Sequence, residues 1–579
     1  MKYTAHIFKA LFVLPVAALA FTACSDEWDD HYKPEAQNQI HSGSLWQAIE
    51  SNPELSNFAS VIKATGYDRS LGGSQAFSVF APVNADFSAE EAQNLITAYN
   101  NEKANGTRDN ENTTIKEFLQ NHIALYNTSV SSETRDSLVM MNGKYQMLTN
   151  NTFAGHNLLT YNQAYANGIL YTIDGQASYY PNVFEYLGKD NDIDSVANFL
   201  YTFNEYVFNA SQSVPGEIVN GKTVYLDSVV TLNNAETHLY LGRIDSEDST
   251  YWMVVPTNEV WNKYVPQYEK YFQYDNTIEK HKRDSLTWAN ARFGLLAGTT
   301  FSRTINPDAA IQDSAVSFNA VSYNLREAFY GSRDLKYYQY DHPFAAGGPF
   351  NGTTNVQCSN GQVMKAANWN IDARQTFFQT EIVQGESGSR LDSVDQKTTN
   401  YPLTTYRVLT SNEYYNRISQ HAYAEISPTG SSSNTTSYFS LPNLLSNVGY
   451  DIYVRTAPAL AGDTLATDFQ RLPTIFRVYL RYQRQDGTLS DANSNWTLLD
   501  GKDNTSPRSK AIWTTHKDSV EVFKIGNDIK IPYTTIGTGS APKVELIFQT
   551  TPTNRQVRNN EYNRILRIDA IYAVPHQED

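Results

Sequence analysis

The side chains able to do chemistry in this 579-residue sequence are few and scattered. Its 11 histidines include no His-Glu-x-x-His pair, so hydrolytic zinc has no ligand set. No Gly-x-Ser-x-Gly elbow presents a serine nucleophile. Gly537-Thr538-Gly539-Ser540 lacks the further glycine and the lysine of a phosphate loop. The acidic run Asp245–Ser249 lacks the alternating spacing of a calcium loop and reads as solvated. Paired carboxylates for glycoside hydrolysis stay open, because the fold sets their separation of about 5–9 Å. No barrel or propeller pattern supports them. The expectation is a protein with no catalytic residue, no metal and no cofactor.

Binding chemistry is better represented. There are 39 tyrosines, which offer large contact area with few rotors. Trp496, Trp513, Tyr482 and Tyr533 flank loop-like stretches such as NSNWT and AIWTTHKD. Flat rings beside amides and acids suit the apolar side of a sugar and its hydroxyls. These four are candidate ligand-binding residues, although half or more of such aromatics would ordinarily be core.

Cys24 follows a short apolar run, Ala10–Phe21, behind Lys2 and Lys9. A membrane-crossing helix needs about 20 apolar residues, so residues 1–23 read as a secretory signal. The end of this run, FTAC, resembles a bacterial lipobox. That resemblance implies cleavage before Cys24 and a lipid on its thiol, with palmitate-like chains in outer-membrane lipid. Four acids follow in Asp26, Glu27, Asp29 and Asp30. They are similar to the export signal of Bacteroidota-type surface lipoproteins, and as a charged tether (24–40) they would stay extended. The expected location is the outer membrane, lipid-anchored and facing outward. Cys358 then has no disulfide partner. The net charge of −16 and the lack of a basic stripe exclude nucleic acid as a partner.

The elements that must position these groups change in texture along the chain. In residues 41–177, Leu45, Trp46 and Ile49 recur at helical spacing, with Ser44 as N-cap and Gly66 as a stop. FSVFAPVNADF (Phe77–Phe87) reads as a buried strand broken at Pro82. SAEEAQNLITAY begins a helix capped by Ser88, and TIKEFLQNHIALYN predicts another. The strand-Ala-Pro-x-Asn element with Asn84, the helix ending in His122, and NGILYTID (Asn167–Asp174) together resemble the fasciclin family. The resemblance implies that Asn84, His122, Asn167 and Gly168 belong to the fold, with His122 a hydrogen-bonded core residue.

A looser repeat follows in 178–373. YWMVVPTNEVW, with Asn258, echoes the strand-Pro-x-Asn element, and SNGQVMKAANWNID echoes the Asn-Gly strand. ARFGLLAG lies where the histidine helix belongs and has no histidine. Residues 178–373 are therefore expected to form a divergent fasciclin-like domain with insertions.

From residue 374 helical periodicity fades. Alternating runs at Tyr450–Pro458, Thr474–Arg484, Lys543–Thr550 and Asn563–Pro575 predict a β-sandwich or jelly roll over 374–579. In the last run, alternation places Leu566, Ile568, Ala570, Tyr572 and Val574 on one face. The region is similar to galactose-binding-like carbohydrate-binding modules. The fold class expected for the whole is α+β: two tandem fasciclin-like domains followed by an all-β sandwich.

Asp-Ser or Asp-Thr recurs before aliphatic residues. It resembles the O-glycosylation acceptor of Bacteroidota-type exported proteins, implying modification at Ser137, Ser195, Ser228, Ser285, Ser314, Ser393, Thr464 and Ser519. Turn chemistry explains the same dipeptides. The reading that follows is a non-catalytic surface lipoprotein whose ligand is a glycan, in the manner of accessories to outer-membrane uptake transporters. The alternative is an adhesin binding surface or matrix protein through the fasciclin-like domains.

Overall fold

The computed structural model describes residues 40–208, 214–219, 222–227, 230–317, 338–376, 378, 380–387, 391–394, 403–430, 432–490, 512–538 and 544–575. Cys24, Trp496 and Ser228 lie outside them, as does the side chain of Ser393. The chain divides into two compact units, Met1–Tyr180 and Pro181–Asp579.

In the first unit, helix α1 (Leu45–Ser51) starts from a capping box of Ser44 with Gln47. Helix α2 (Ser56–Thr65) stops at left-handed Gly66. Strand β1 (Phe77–Pro82) is buried on both faces. Helix α3 (Ala89–Ala104) carries a second capping box, Ser88 with Glu91. The helix expected through His122 is shorter than its sequence pattern: it spans Thr114–Leu119, and Ile123–Ala124 is already strand β2. Strands β3 (Arg135–Val139), β4 (Tyr145–Thr149), β5 (Thr152–Phe153), β6 (His156–Tyr165) and β7 (Gly168–Ile173) complete one seven-stranded sheet. The pairing of β1 with β7 is parallel, with Phe77 opposite Gly168 and Pro82 opposite Ile173.

The second unit opens with a repeat of this frame. Strand β8 (Tyr251–Pro256) runs into helix α4 (Asn258–Tyr268), and helix α5 (Lys280–Leu296) leads to strand β9 (Thr300–Ser302). Strands β10 (Thr354–Cys358) and β11 (Gly361–Ala366) close a four-stranded sheet. Here β8 pairs in parallel with β11, Tyr251 opposite Gly361. This is the pairing of β1 with β7 over again. The second frame thus repeats the strand pairing of the first.

The remaining strands form two antiparallel sheets. One has Leu403–Arg407, Ala422–Ile426, Leu566–Pro575, Gly449–Thr456 and Glu521–Lys530 in that order, and Glu381–Gln384 also pairs along Leu566–Pro575. The other has Leu391–Val394, Thr436–Ser440, Val544–Thr550, Ile475–Tyr482 and Trp513–Thr514. They make a β-sandwich, so the chain is α+β as expected. One large core continues from the second frame into the sandwich, from Val183, Trp261 and Leu296 to Phe439, Leu546 and Ile571, with smaller clusters around Phe301 and Tyr423. Ser446 ties the parts together: its N–H donates to Tyr271 O at 3.0 Å, and its hydroxyl donates to Lys270 O at 2.9 Å.

The last strand departs from simple alternation. Leu566 and Ile568 face the core, but so do Ile571 and Ala573, while Tyr572 and Val574 are only half-buried. The expected single face of Leu566, Ile568, Ala570, Tyr572 and Val574 is thus wrong. The register to Gly449–Thr456 shifts between the Ala570 and Ile568 pairs. An extra residue at Asp569 swaps the faces, as a β-bulge does.

Candidate functional site

The fasciclin motif residues are spent on the frame. Asn84 accepts from Asn57 N at 3.0 Å and donates to Pro53 O and Ser56 Oγ, both at 2.9 Å. It fastens the strand end to the start of α2. Asn258 does the same in the second unit, accepting from Ser195 N at 3.0 Å and donating to Asn191 O and Asp194 Oδ1 at 2.8 Å. Asn167 accepts from Leu45 N at 2.8 Å and donates to Leu71 O and Gly73 O. Its counterpart in the echoed Asn-Gly strand is Asn360, which accepts from Val183 N at 2.8 Å and donates to Ile244 O and Ser246 O. The Asn-Gly dipeptide was the available signal. Gly168 follows at φ +152°, where a Cβ would lie 2.1 Å from Phe77 O.

His122 is fully buried. Its Nδ1 lies 2.7 Å from Phe118 O, and its Nε2 accepts from Ala177 N at 2.9 Å. A carbonyl only accepts and an amide N–H only donates, so the proton sits on Nδ1 and the ring is neutral. Burial pushes its pKa down to about 4, against the pull of the Phe118 carbonyl. Both nitrogens are occupied, and the ring has no free position for catalysis.

Of the aromatics picked out for ligand binding, Trp513 is half-buried and stacks on Phe476 at 6.0 Å. Tyr482 is half-buried against the core at the far end of the strand that carries Phe476. Six residues of strand separate those ends by about 20 Å. Tyr533 is half-buried in the turn after Lys530. The structure does not gather these three into one site.

It gathers another set on the outer face of the six-stranded sheet. Tyr453 and Tyr572 stand directly opposite each other on neighbouring strands. The Arg455 guanidinium lies 5.1 Å from the Tyr572 ring centre, and Lys524 Nζ lies 5.9 Å from that of Tyr453. Lys524 also donates to Asp451 Oδ2 at 2.7 Å. All five are part-exposed. The signal was in the stretch YDIYVR, where Ile452 and Val454 turn inward and Asp451, Tyr453 and Arg455 therefore turn outward.

Beneath this face lies a buried polar base. Asp569 has no exposed surface and accepts from Ser419 N at 3.0 and 3.1 Å. Arg455 reaches it at 3.6 Å, and Gln384 Nε2 donates to Ser419 Oγ at 2.9 Å. Desolvation pushes the Asp569 carboxyl up to about 8, against the Ser419 amide and Arg455, while neighbouring Glu386 adds to the rise. Glu386 is itself pushed up to about 7 by burial. Through its bonds from Ser419 and its contact with Arg455, Asp569 supports the face from beneath. Among the described residues no group of three or more His, Cys, Asp or Glu is placed to hold a metal ion.

The arrangement offers flat rings, two cations and one carboxylate on a rigid sheet, with no nucleophile joined to a base. It can bind.

No curated protein matches this chain. Among solved structures, a FAS1 domain pair from the insect cell adhesion molecule Fasciclin I is 12% identical, covering 56% of this chain and 98% of its own, with TM-score 0.18. A xylan-binding domain of CBM 22 is 10% identical, covering 35% and 97%, with TM-score 0.19. The C-terminal family 22 carbohydrate-binding module of Clostridium thermocellum Xyn10B gives 10%, 35%, 96% and 0.19. At such scores these likenesses carry no weight for function. The family model for the Fasciclin domain matches residues 53–176. Its motif residues, Asn84, His122, Asn167 and Gly168, are the ones whose contacts close the first frame, and residues 53–176 form a Fasciclin domain.

Proposed function

We propose that this chain is a non-catalytic surface protein that binds a glycan on the outer face of its six-stranded sheet. The observation that carries the reading is the cross-strand pair Tyr453–Tyr572, with Arg455 over the ring of Tyr572 and Lys524 over that of Tyr453. Paired rings offer a platform for the apolar side of sugar rings, and the charged groups reach hydroxyls at its edge. In this reading Cys24 carries a lipid that holds the protein in the outer membrane, facing outward, and the acids after it form a tether. An outer-membrane glycan transporter is then a fitting partner. Of the candidate O-glycosylation positions, Ser137, Ser285 and Thr464 are exposed, whereas Ser195, Ser314 and Ser519 are half-buried. The first three are the better acceptors.

The test is retardation of the full chain in polysaccharide gels. Retardation by one glycan class, weakened in Tyr453→Ala and Tyr572→Ala and kept in full in Trp513→Ala, supports this site. Unchanged retardation in both tyrosine variants sinks it.

A second reading, adhesion to protein through the Fasciclin domain, is favoured by exposed Tyr145, Met147, Leu159 and Tyr161 on β4 and β6. Exposed apolar side chains of this size suit a protein surface better than a sugar. Capture of surface proteins by the chain, lost in Met147→Asp with Tyr161→Asp, would establish it.

A further inference from the structure

The two fasciclin-like frames differ most tellingly just after their last strands. In the first, β7 ends at Ile173, and the next residues fold back: Ala177 N–H donates to His122, and Gln176 donates to Glu91 Oε1 at 3.0 Å. In the second, β11 ends at Ala366, and the matching residues are Ala367, Asn368, Trp369 and Asn370. Among the described residues no histidine reaches back to them. Instead they line a cleft of about 530 Å³ against helix α4. That volume falls within the roughly 300–1,000 Å³ of small-ligand sites.

Its lining is amphipathic in a particular way. Trp369 and Tyr264 bring ring surface, and Asn351, Asn368 and Asn370 bring amides. Glu259 and Lys263 stand one helical turn apart on α4 and cancel in charge. Asn370 spends its Nδ2 on Gly348 O and Asn351 O, which fixes its place in the wall. Asn368 is exposed and makes no hydrogen bond among the described residues. The Trp369 Nε1 is buried without an acceptor among the described residues. Burying an N–H without a partner costs stability, so the indole holds its place in the wall through its ring surface and not through its N–H.

We infer that this cleft is a second carbohydrate site, distinct from the sheet face, and that it takes a neutral sugar unit of a glycan. Ring faces meet the C–H side of a pyranose, amides meet its hydroxyls, and the balanced Glu259 and Lys263 leave no net charge to select an ionic ligand. Two sites on one rigid unit would hold one long chain at two points, or two chains together.

The test uses the full chain carrying Tyr453→Ala and Tyr572→Ala, which removes the sheet face. It is titrated calorimetrically with neutral oligosaccharides of β-glucan, xylan, mannan and starch, and with an oligogalacturonate as the charged control. The expected result is binding of one neutral oligosaccharide. That affinity should fall about tenfold or more on adding Asn368→Ala, an exposed change harmless to folding, and again on adding Trp369→Phe, which keeps an aromatic ring in the wall but narrows its face. Binding to none of the neutral oligosaccharides overturns the inference and leaves the sheet-face reading untouched. Binding that ignores both cleft substitutions, or that is confined to the oligogalacturonate, also overturns it.

Discussion

Thr299 stands in the second frame where His122 stands in the first. The backbone oxygen of His122 accepts from Phe80 N at 2.9 Å, and that of Thr299 accepts from Val254 N at 2.8 Å, at matching positions of β1 and β8. Both residues are fully buried. The Thr299 hydroxyl, however, turns back to Leu296 O at 2.7 Å, a contact within its own turn. His122 spans from Phe118 to Ala177 and pins the segment after the last strand. Thr299 is too short to do this, which frees residues 367–370 to line a cleft.

The neutrality of His122 gives the first unit a pH dependence. Its folded pKa of about 4 lies below the ordinary value of 6.5. Between these values the unfolded chain binds the extra proton, so stability is fully present above about pH 6.5 and is lost as pH falls toward 4. The full shift corresponds to about 3 kcal/mol. Urea unfolding of the first unit, followed by hydrogen exchange from pH 7 to 4, should show this slope. His122→Gln should flatten it while lowering stability at pH 7.

The buried carboxyls under the sheet face predict the opposite trend in the second unit. Asp569 and Glu386 are raised to about 8 and 7, so the folded state holds protons that the unfolded state releases near pH 4. Their contribution is complete below about pH 4 and is lost as pH rises to 8. Asp569→Asn should weaken that decline between pH 5 and 8. An unchanged pH profile in the variant would show that Asp569 is ionised in the fold.

The Asn-Gly pairs should be intolerant in both frames. Asn167→Ala and Asn360→Ala each strand buried backbone groups and should cost about 3 kcal/mol or more. Gly361 sits at φ +143°, where a Cβ would lie 1.7 Å from Tyr251 O. Gly361→Ala should therefore cost more still, by forcing β8 and β11 apart. Chemical denaturation of each variant, read by tryptophan fluorescence, measures both.

The continuous core of the second unit predicts one unfolding transition for residues 181–579. Leu444→Ala in the sandwich should destabilise the fasciclin-like part as well, by about 2–5 kcal/mol for the whole. Gly487 at φ +84° presses against Thr277 across the same junction. Residues 374–579 made alone should unfold at lower denaturant than 181–579. Two separate transitions in 181–579 would contradict this.

Much of the frame was legible in the sequence because local chemistry decides it. Asn beside Gly, Asn after Pro-x, and Ser three residues before Glu or Gln each satisfy backbone groups within reach, so residue type and spacing suffice. The switch from helical to alternating periodicity likewise marked the sandwich, since burial of one face imposes the period. The functional surfaces were less legible. Trp513 and Tyr482 looked poised for ligand, but packing drew them toward the core. Tyr453 meets Tyr572 across more than a hundred residues, and only strand pairing brings them together. The bulge at Asp569 reversed the faces of the last strand, because one inserted residue shifts a period of two by half. The cleft beside Trp369 arises from a contact that the second frame lacks, and only the folded first frame shows what that contact does. Residue type and local spacing set the repeating frame and its locks, whereas which side chains face outward together depends on register between distant strands and emerges only on folding.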